Sequence, residues 1–156
     1  MIHFASIIEN CVSLGDNVTV EPGAVIGVKG AIRNLKHFTG SVEIGRHTKI
    51  GANVVVAIGE GITKIGENCI IMNLANIGHD VTIGNNVEIG AGVIVCGHAV
   101  IGDNCKIKTG SIIRNRVTIE KDTIVGMGSV VTKDLETGTY YGNPARPEDG
   151  WIKRKV

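Results

Sequence analysis

The amino-acid sequence predicts an all-β solenoid, a parallel β-helix built from hexapeptide repeats, and three observations carry that expectation. From Ile65 to Val131 an Ile or Val opens every sixth position without a slip, at 65, 71, 77, 83, 89, 95, 101, 107, 113, 119, 125 and 131. A small or β-branched residue follows four places after every opener but the last, as in Ile77-Gly-His-Asp-Val81 and Ile83-Gly-Asn-Asn-Val87. Aromatic residues make up only 3% of a chain that is 43% hydrophobic and holds 22 glycines. That balance is foreign to an ordinary globular core and natural to a stack of short repeated steps.

The physical reading follows from the period. In an extended segment residues two apart share a face, so each opener and the small residue two places before it point inward together. The Gly, Asn and Asp that follow the opener tolerate the positive φ of a sharp bend and form the corner. Three steps close a triangular coil of eighteen residues, and successive coils stack as parallel strands about 4.8 Å apart.

Taken in order, the chain opens on the same beat, with Ile2, Ile8, Leu14, Val20 and Ile26 as openers, and resumes it at Ile44, Ile50 and Val56. Between them, residues 28–43 lose the pattern and carry Arg33, Lys36, His37 and Phe38. Keeping the frame would turn Lys36 into the core, so an excursion from the coil is expected, with a solvated loop as its default character. Residues 58–64 add three positions and shift the frame, which calls for a bulge at the corner that carries His79 one coil further on. Past Val131 the repeat dissolves. The domain division is therefore a solenoid over 1–135 and a short C-terminal extension over 136–156, whose last ten residues, with Trp151, are expected to cap the open end. Lys153, Arg154 and Lys155 read as a solvated tail.

Composition excludes several classes. A net charge of +1 over 156 residues gives no reason to expect nucleic-acid binding. The absence of a long apolar run and of a basic, then apolar, start predicts neither a membrane span nor a leader. Cys69 and Cys105 fall at inward positions two coils apart, roughly 9.6 Å by the strand spacing and beyond disulfide reach. Reduced, packed thiols in a cytoplasmic protein are expected.

Two of the five histidines stand out. His79 and His98 follow openers eighteen residues apart, Ile77 and Val95, so both imidazoles belong to the same corner on adjacent coils. Gly97 lies above His79 in the same column, and Asp80 shares its column with His98. Such a corner holds a proton acceptor, a carboxylate to orient it and an unencumbered amide, the parts that acyl transfer requires. Asp80 and Gly97 also suit the bend itself, and the two roles do not compete.

At these residues the chain resembles a known family. Asn76-Ile-Gly-His-Asp-Val-Thr-Ile-Gly84, Cys96-Gly-His-Ala-Val100 and Gly142-Asn-Pro-Ala-Arg146 are similar to segments of the hexapeptide-repeat acyltransferases, among them bacterial sugar O- and N-acetyltransferases and the acyltransferases of lipid A synthesis. The resemblance implies a left-handed helix, a homotrimer and an active site in the groove between subunits. It also implies His79 as general base, Asp80 as its orienting carboxylate and Gly97 as the oxyanion donor. Asn76 and His98 match substrate-site positions, while Gly126, Gly128, Asn143, Pro144 and Arg146 match the region that holds acetyl-CoA, the co-substrate. Arg114, Arg116 and Lys133 are further cations on the coils above the base, and of these cations Arg146 is the one chosen for CoA.

The function expected is direct acyl transfer to a hydroxyl or amine of a nucleotide-linked sugar, with no resident metal. Two alternatives stand beside it. A non-catalytic solenoid would serve as an oligomerisation module. A metal enzyme like the γ-class carbonic anhydrases would take His79 and His98 as two ligands and need a third, His37 or His47, from elsewhere.

Overall fold

Each six-residue step folds as a two-residue strand followed by a four-residue corner because the two inward positions of the step are satisfied only there. Every opener from Ile65 to Val131 is buried, and so is every residue two places before one, from Thr63 and Cys69 through Ser111 to Ser129. The fourth residue of each step takes positive φ throughout the same stretch, including Asn68, Asp80, Asn86, His98 and Asn104 as well as Gly92, Gly110 and Gly128. In this computed structural model, which describes residues 1–30 and 37–148, the chain winds as a left-handed parallel β-helix of about seven turns.

The strands stack into three sheets that form the faces of a triangular prism. Face I contains Ile7–Ile8, Val25–Lys29, Val55–Ile58, Asn76–Ile77, Ile94–Val95, Ile112–Ile113 and Val130–Val131. Face II runs from Val12–Leu14 through Thr82–Ile83 and Val100–Ile101 to Thr118–Ile119. Face III runs from Thr19–Val20 through Ile70–Ile71 to Ile124–Val125, and is extended by Thr139–Tyr141 and by Arg146–Pro147, the one antiparallel pairing among the described residues. Because nearly all the side chains inside the prism are aliphatic or small, no large residue is needed to fill it. The buried hydroxyls are matched: Thr48 donates to the Gly66 carbonyl and Ser111 to that of Gly126, each at 2.8 Å.

Register shows where the coil is interrupted. Thr82 pairs with Val100, eighteen residues on, whereas Val55 pairs with Asn76, twenty-one on, and Val25 with Val55, thirty on. Since Lys29 still pairs with Ile58 on face I and Ser41 with Ile62 on face II, both surpluses are looped out at the corner between faces I and II. Arg33 and Lys36, and Trp151 with the basic tail, lie outside the described residues. The four cysteines are free. Burial raises the Cys69 and Cys105 thiols above their ordinary range.

Candidate active site

The corner between faces I and II is where the solenoid departs from a plain stack. The Asn76–Ile77 strand ends at Gly78, and the backbone turns through His79 and Asp80 before re-entering at buried Val81. Asp80 occupies the left-handed position with φ of 58°. A short polar side chain tolerates that conformation, and here it also folds the carboxylate back beside the preceding residue. His79 Nδ1 lies 2.7 Å from Asp80 Oδ2.

The next coil completes the arrangement. The His98 amide donates to the His79 carbonyl at 2.9 Å, which fixes the vertical stacking of the two turns. Gly97 therefore sits over the His79 ring, so close that a Cβ on it would lie 2.5 Å from Nε2. The amides on either side of Gly97 are used, Cys96 donating to Ile113 and His98 to His79. The ring of His98 meets that of His79 edge-on with centroids 4.9 Å apart, and its Nε2 is 3.9 Å from Asp80 Oδ2.

Electrostatics follow from these contacts. Burial pushes the Asp80 carboxyl upward, but the hydrogen bond with His79, the Gly61 amide and the two nearby imidazoles outweigh it and hold the group below the usual carboxylate range. Asp80 is thus an anion set against His79 Nδ1. A hydrogen bond from Nδ1–H to that anion leaves Nε2 as the lone-pair nitrogen, the form a general base must have. His79, Asp80 and His98 also bring three donor atoms within 4.8 Å of one another, which a divalent cation could span.

The remaining expected residues fall elsewhere. Asn76 is exposed on the outer surface of face I, three residues before His79. Gly126 and Gly128 are at the corner between faces III and I. Gly126 is packed under the Tyr141 ring, and Gly128 has positive φ with open space around it. The Gly142–Arg146 turn lies over the end of face I, where the Val130 amide donates to the Gly142 carbonyl and Ala145 to Val130. Four coil spacings separate that turn from the His79 level, about 19 Å. His79 and these residues therefore form two groups, at opposite edges of face I.

Sequence reasoning passed over three residues, Gly59, Gly61 and Thr63, that touch the pair from the coil below. The Gly61 amide donates to Asp80 Oδ1 at 2.6 Å, and Thr63 Oγ1 accepts from the Asp80 amide at 2.8 Å. Their signal was the three-residue surplus at 58–64, legible as a bulge but not as a set of contacts.

With fold and site in view, the chain carries the repeat of the hexapeptide transferases: the family described as bacterial transferase hexapeptide (six repeats) matches residues 62–97 and 98–133. Among particular proteins, it is 46% identical to the UDP-3-O-acylglucosamine N-acyltransferase of Caulobacter vibrioides, over 90% of this chain and 44% of that protein. The chain thus spans less than half the length of the curated relatives it matches. Its fold matches LpxA, a UDP-N-acetylglucosamine acyltransferase from Bacteroides fragilis, with a TM-score of 0.91 at 24% identity, over 99% of this chain and 64% of that one. PerB from Caulobacter crescentus, solved with CoA and GDP-perosamine, matches with a TM-score of 0.57 at 24% identity, over 94% and 56% of the two chains. No helix among the described residues is long and apolar enough to cross a membrane.

Proposed function

We propose that the protein transfers an acyl group from a thioester to a hydroxyl or amine of a nucleotide-linked sugar, with acetyl-CoA as the first donor to test. The observation that carries this reading is the stack of Asp80, His79 and Gly97, in which an oriented imidazole lies under a backbone with no side chain to block it. The 46% identity to an N-acyltransferase of an acylated UDP-sugar supports the acceptor class.

In the proposed reaction neutral His79 takes a proton at Nε2 from the acceptor as its oxygen or nitrogen attacks the thioester carbonyl. The Gly97 N–H donates to the developing oxyanion. Collapse of the tetrahedral intermediate re-forms the carbonyl and breaks the C–S bond, and the departing thiolate takes the proton from the imidazolium. Asp80 keeps the imidazole in its working tautomer and stabilises the cation. Asn76 and His98 are assigned to the acceptor, and Gly126, Gly128, Asn143, Pro144 and Arg146 to acetyl-CoA.

We also propose a cytoplasmic homotrimer with the site at a subunit boundary. Face I supports the assembly, because the outward column along it is Ile7, Val25, Val55, Asn76, Ile94, Ile112 and Val130, aliphatic at all but one position, with Lys29 exposed beside it at the edge of the face. Ile7, Ile94 and Ile112 are 56%, 42% and 39% exposed in the single chain, and a contiguous apolar strip of this kind calls for a partner.

The test is a panel of UDP- and GDP-linked amino sugars with acetyl-CoA or longer acyl thioesters, following thiol release and the mass of the sugar. Acceptor-dependent thiol release with the matching mass gain is expected. No turnover on any pair, together with no thermal shift by CoA, would return the chain to the oligomerisation-module reading; a ligand at a hundred times its Kd adds about 2.7 kcal/mol.

A further inference from the structure

The insertion at 58–64 is too well tied down to be a tolerated accident. The Gly40 amide donates to the Gly59 carbonyl at 3.1 Å and the Ser41 amide to that of Gly61 at 3.2 Å, so the loop is held from the coil below. Thr63, fully buried, donates its hydroxyl to the Ala57 carbonyl at 2.8 Å across the base of the bulge. The same hydroxyl accepts from the Asp80 amide, and the Gly61 amide donates to Asp80 Oδ1. A Cβ on Gly59 would overlap the Asp80 carboxylate and stand 2.9 Å from His79 Nδ1, while one on Gly61 would stand 2.9 Å from Asp80 Oδ1.

These contacts matter because Asp80 has two imidazoles within reach. Its Oδ2 is 2.7 Å from His79 and 3.9 Å from His98. With Oδ1 held by the Gly61 amide and the backbone by Thr63, Oδ2 stands at hydrogen-bonding distance from His79 and beyond it from His98. We propose that Gly59, Gly61 and Thr63 are positioning residues that lock the Asp80 carboxylate onto Nδ1 of His79 and so keep Nε2 free of a proton. The catalytic meaning of this lock rests on His79 being the base; the lock itself does not.

The experiment uses the whole chain labelled with ¹⁵N-histidine at about pH 8, above the ordinary imidazole pKa of about 6.5. The His79 resonances are assigned by their loss in His79→Ala. Wild type is expected to show His79 as the Nδ1–H tautomer. Thr63→Val, which keeps the shape and removes the hydroxyl, and Gly59→Ala, which fills the carboxylate's place, are both expected to shift it toward Nε2–H. Each should lower kcat by about 10²-fold, the cost of a misplacement near 1 Å, with little change in KM. Thr63→Ser should restore both readouts. Retention of the Nδ1–H tautomer in folded Thr63→Val and Gly59→Ala would overturn the proposal, as would failure of Thr63→Ser to restore it. Should Thr63→Val not fold, Gly59→Ala decides alone. The expected tautomer shifts in a protein with no acyl transfer would uphold the lock and defeat the proposed function.

Discussion

Asp80 serves two physical demands at one residue, the positive φ of the corner and an anion against His79 Nδ1. Asparagine can meet the first and not the second, so Asp80→Asn separates them. A carboxyl held below its unfolded value near 3.9 contributes stability that is present above that pH and lost as pH falls through the folded value. Urea unfolding should therefore show wild type ahead of Asp80→Asn at neutral pH, with the gap closing as pH drops below about 3.9. At the neighbouring position, His79→Ala is expected to keep the fold, with a lower melting temperature from the lost Asp80 partner, and to cost about 10²- to 10⁴-fold in turnover, the usual loss for a general base. Wild-type rates in that variant would remove His79 from the mechanism.

At the scale of the element, each corner is a repeated solution with local exceptions. Along the edge between faces III and I the left-handed position is filled by Gly23, Asn53, Leu74, Gly92, Gly110 and Gly128. Only Leu74 has a branched apolar side chain, with φ of 63° and 65% exposure. A non-glycine residue there carries strain of about 1–3 kcal/mol, which asparagine partly escapes by hydrogen bonding locally. Leu74→Asn is expected to raise stability by about 0.5–1 kcal/mol, a part of that strain, read as a higher urea midpoint at unchanged slope; a lower midpoint would show that the leucine is packed rather than strained. The two insertions obey the same logic of local exceptions. Both fall at the corner between faces I and II, so the inward pattern resumes on either side of them without a change of face.

For the molecule as a whole, the distribution of outward side chains distinguishes the faces. Face II presents Ser13, Ser41, Glu43, Lys64, Thr82 and Thr118 with Ile62 and Val100, and face III mixes Lys49, Glu88 and Lys106 with Ile70 and Ile124. Face I alone is a nearly unbroken aliphatic strip, and it ends at the His79 corner. Placing a charge in its centre, as Ile94→Asp, should prevent association, because an unpaired carboxylate would have to be desolvated at the contact. Light scattering is expected to give three times the 16.4 kDa subunit mass for wild type and the subunit mass for the variant. An unchanged mass would assign the contact to another face.

The period by itself determined the parallel solenoid, the inward residues and the eighteen-residue stacking that brings His79, Asp80, Gly97 and His98 to one edge, because a repeat with two inward positions per step can bury them in only one way. It could not determine what interrupts the period. The path of residues 58–64 depends on amides donated by Gly40 and Ser41 from another coil, so the roles of Gly61 and Thr63 toward Asp80 became visible only when the coils were stacked. Tertiary structure also placed the Gly142–Arg146 turn, which lies past the end of the repeat, over face I through the Val130 amide. Hydrogen bonds between coils act across space at about 4.8 Å, whereas the sequence records only neighbours along the chain.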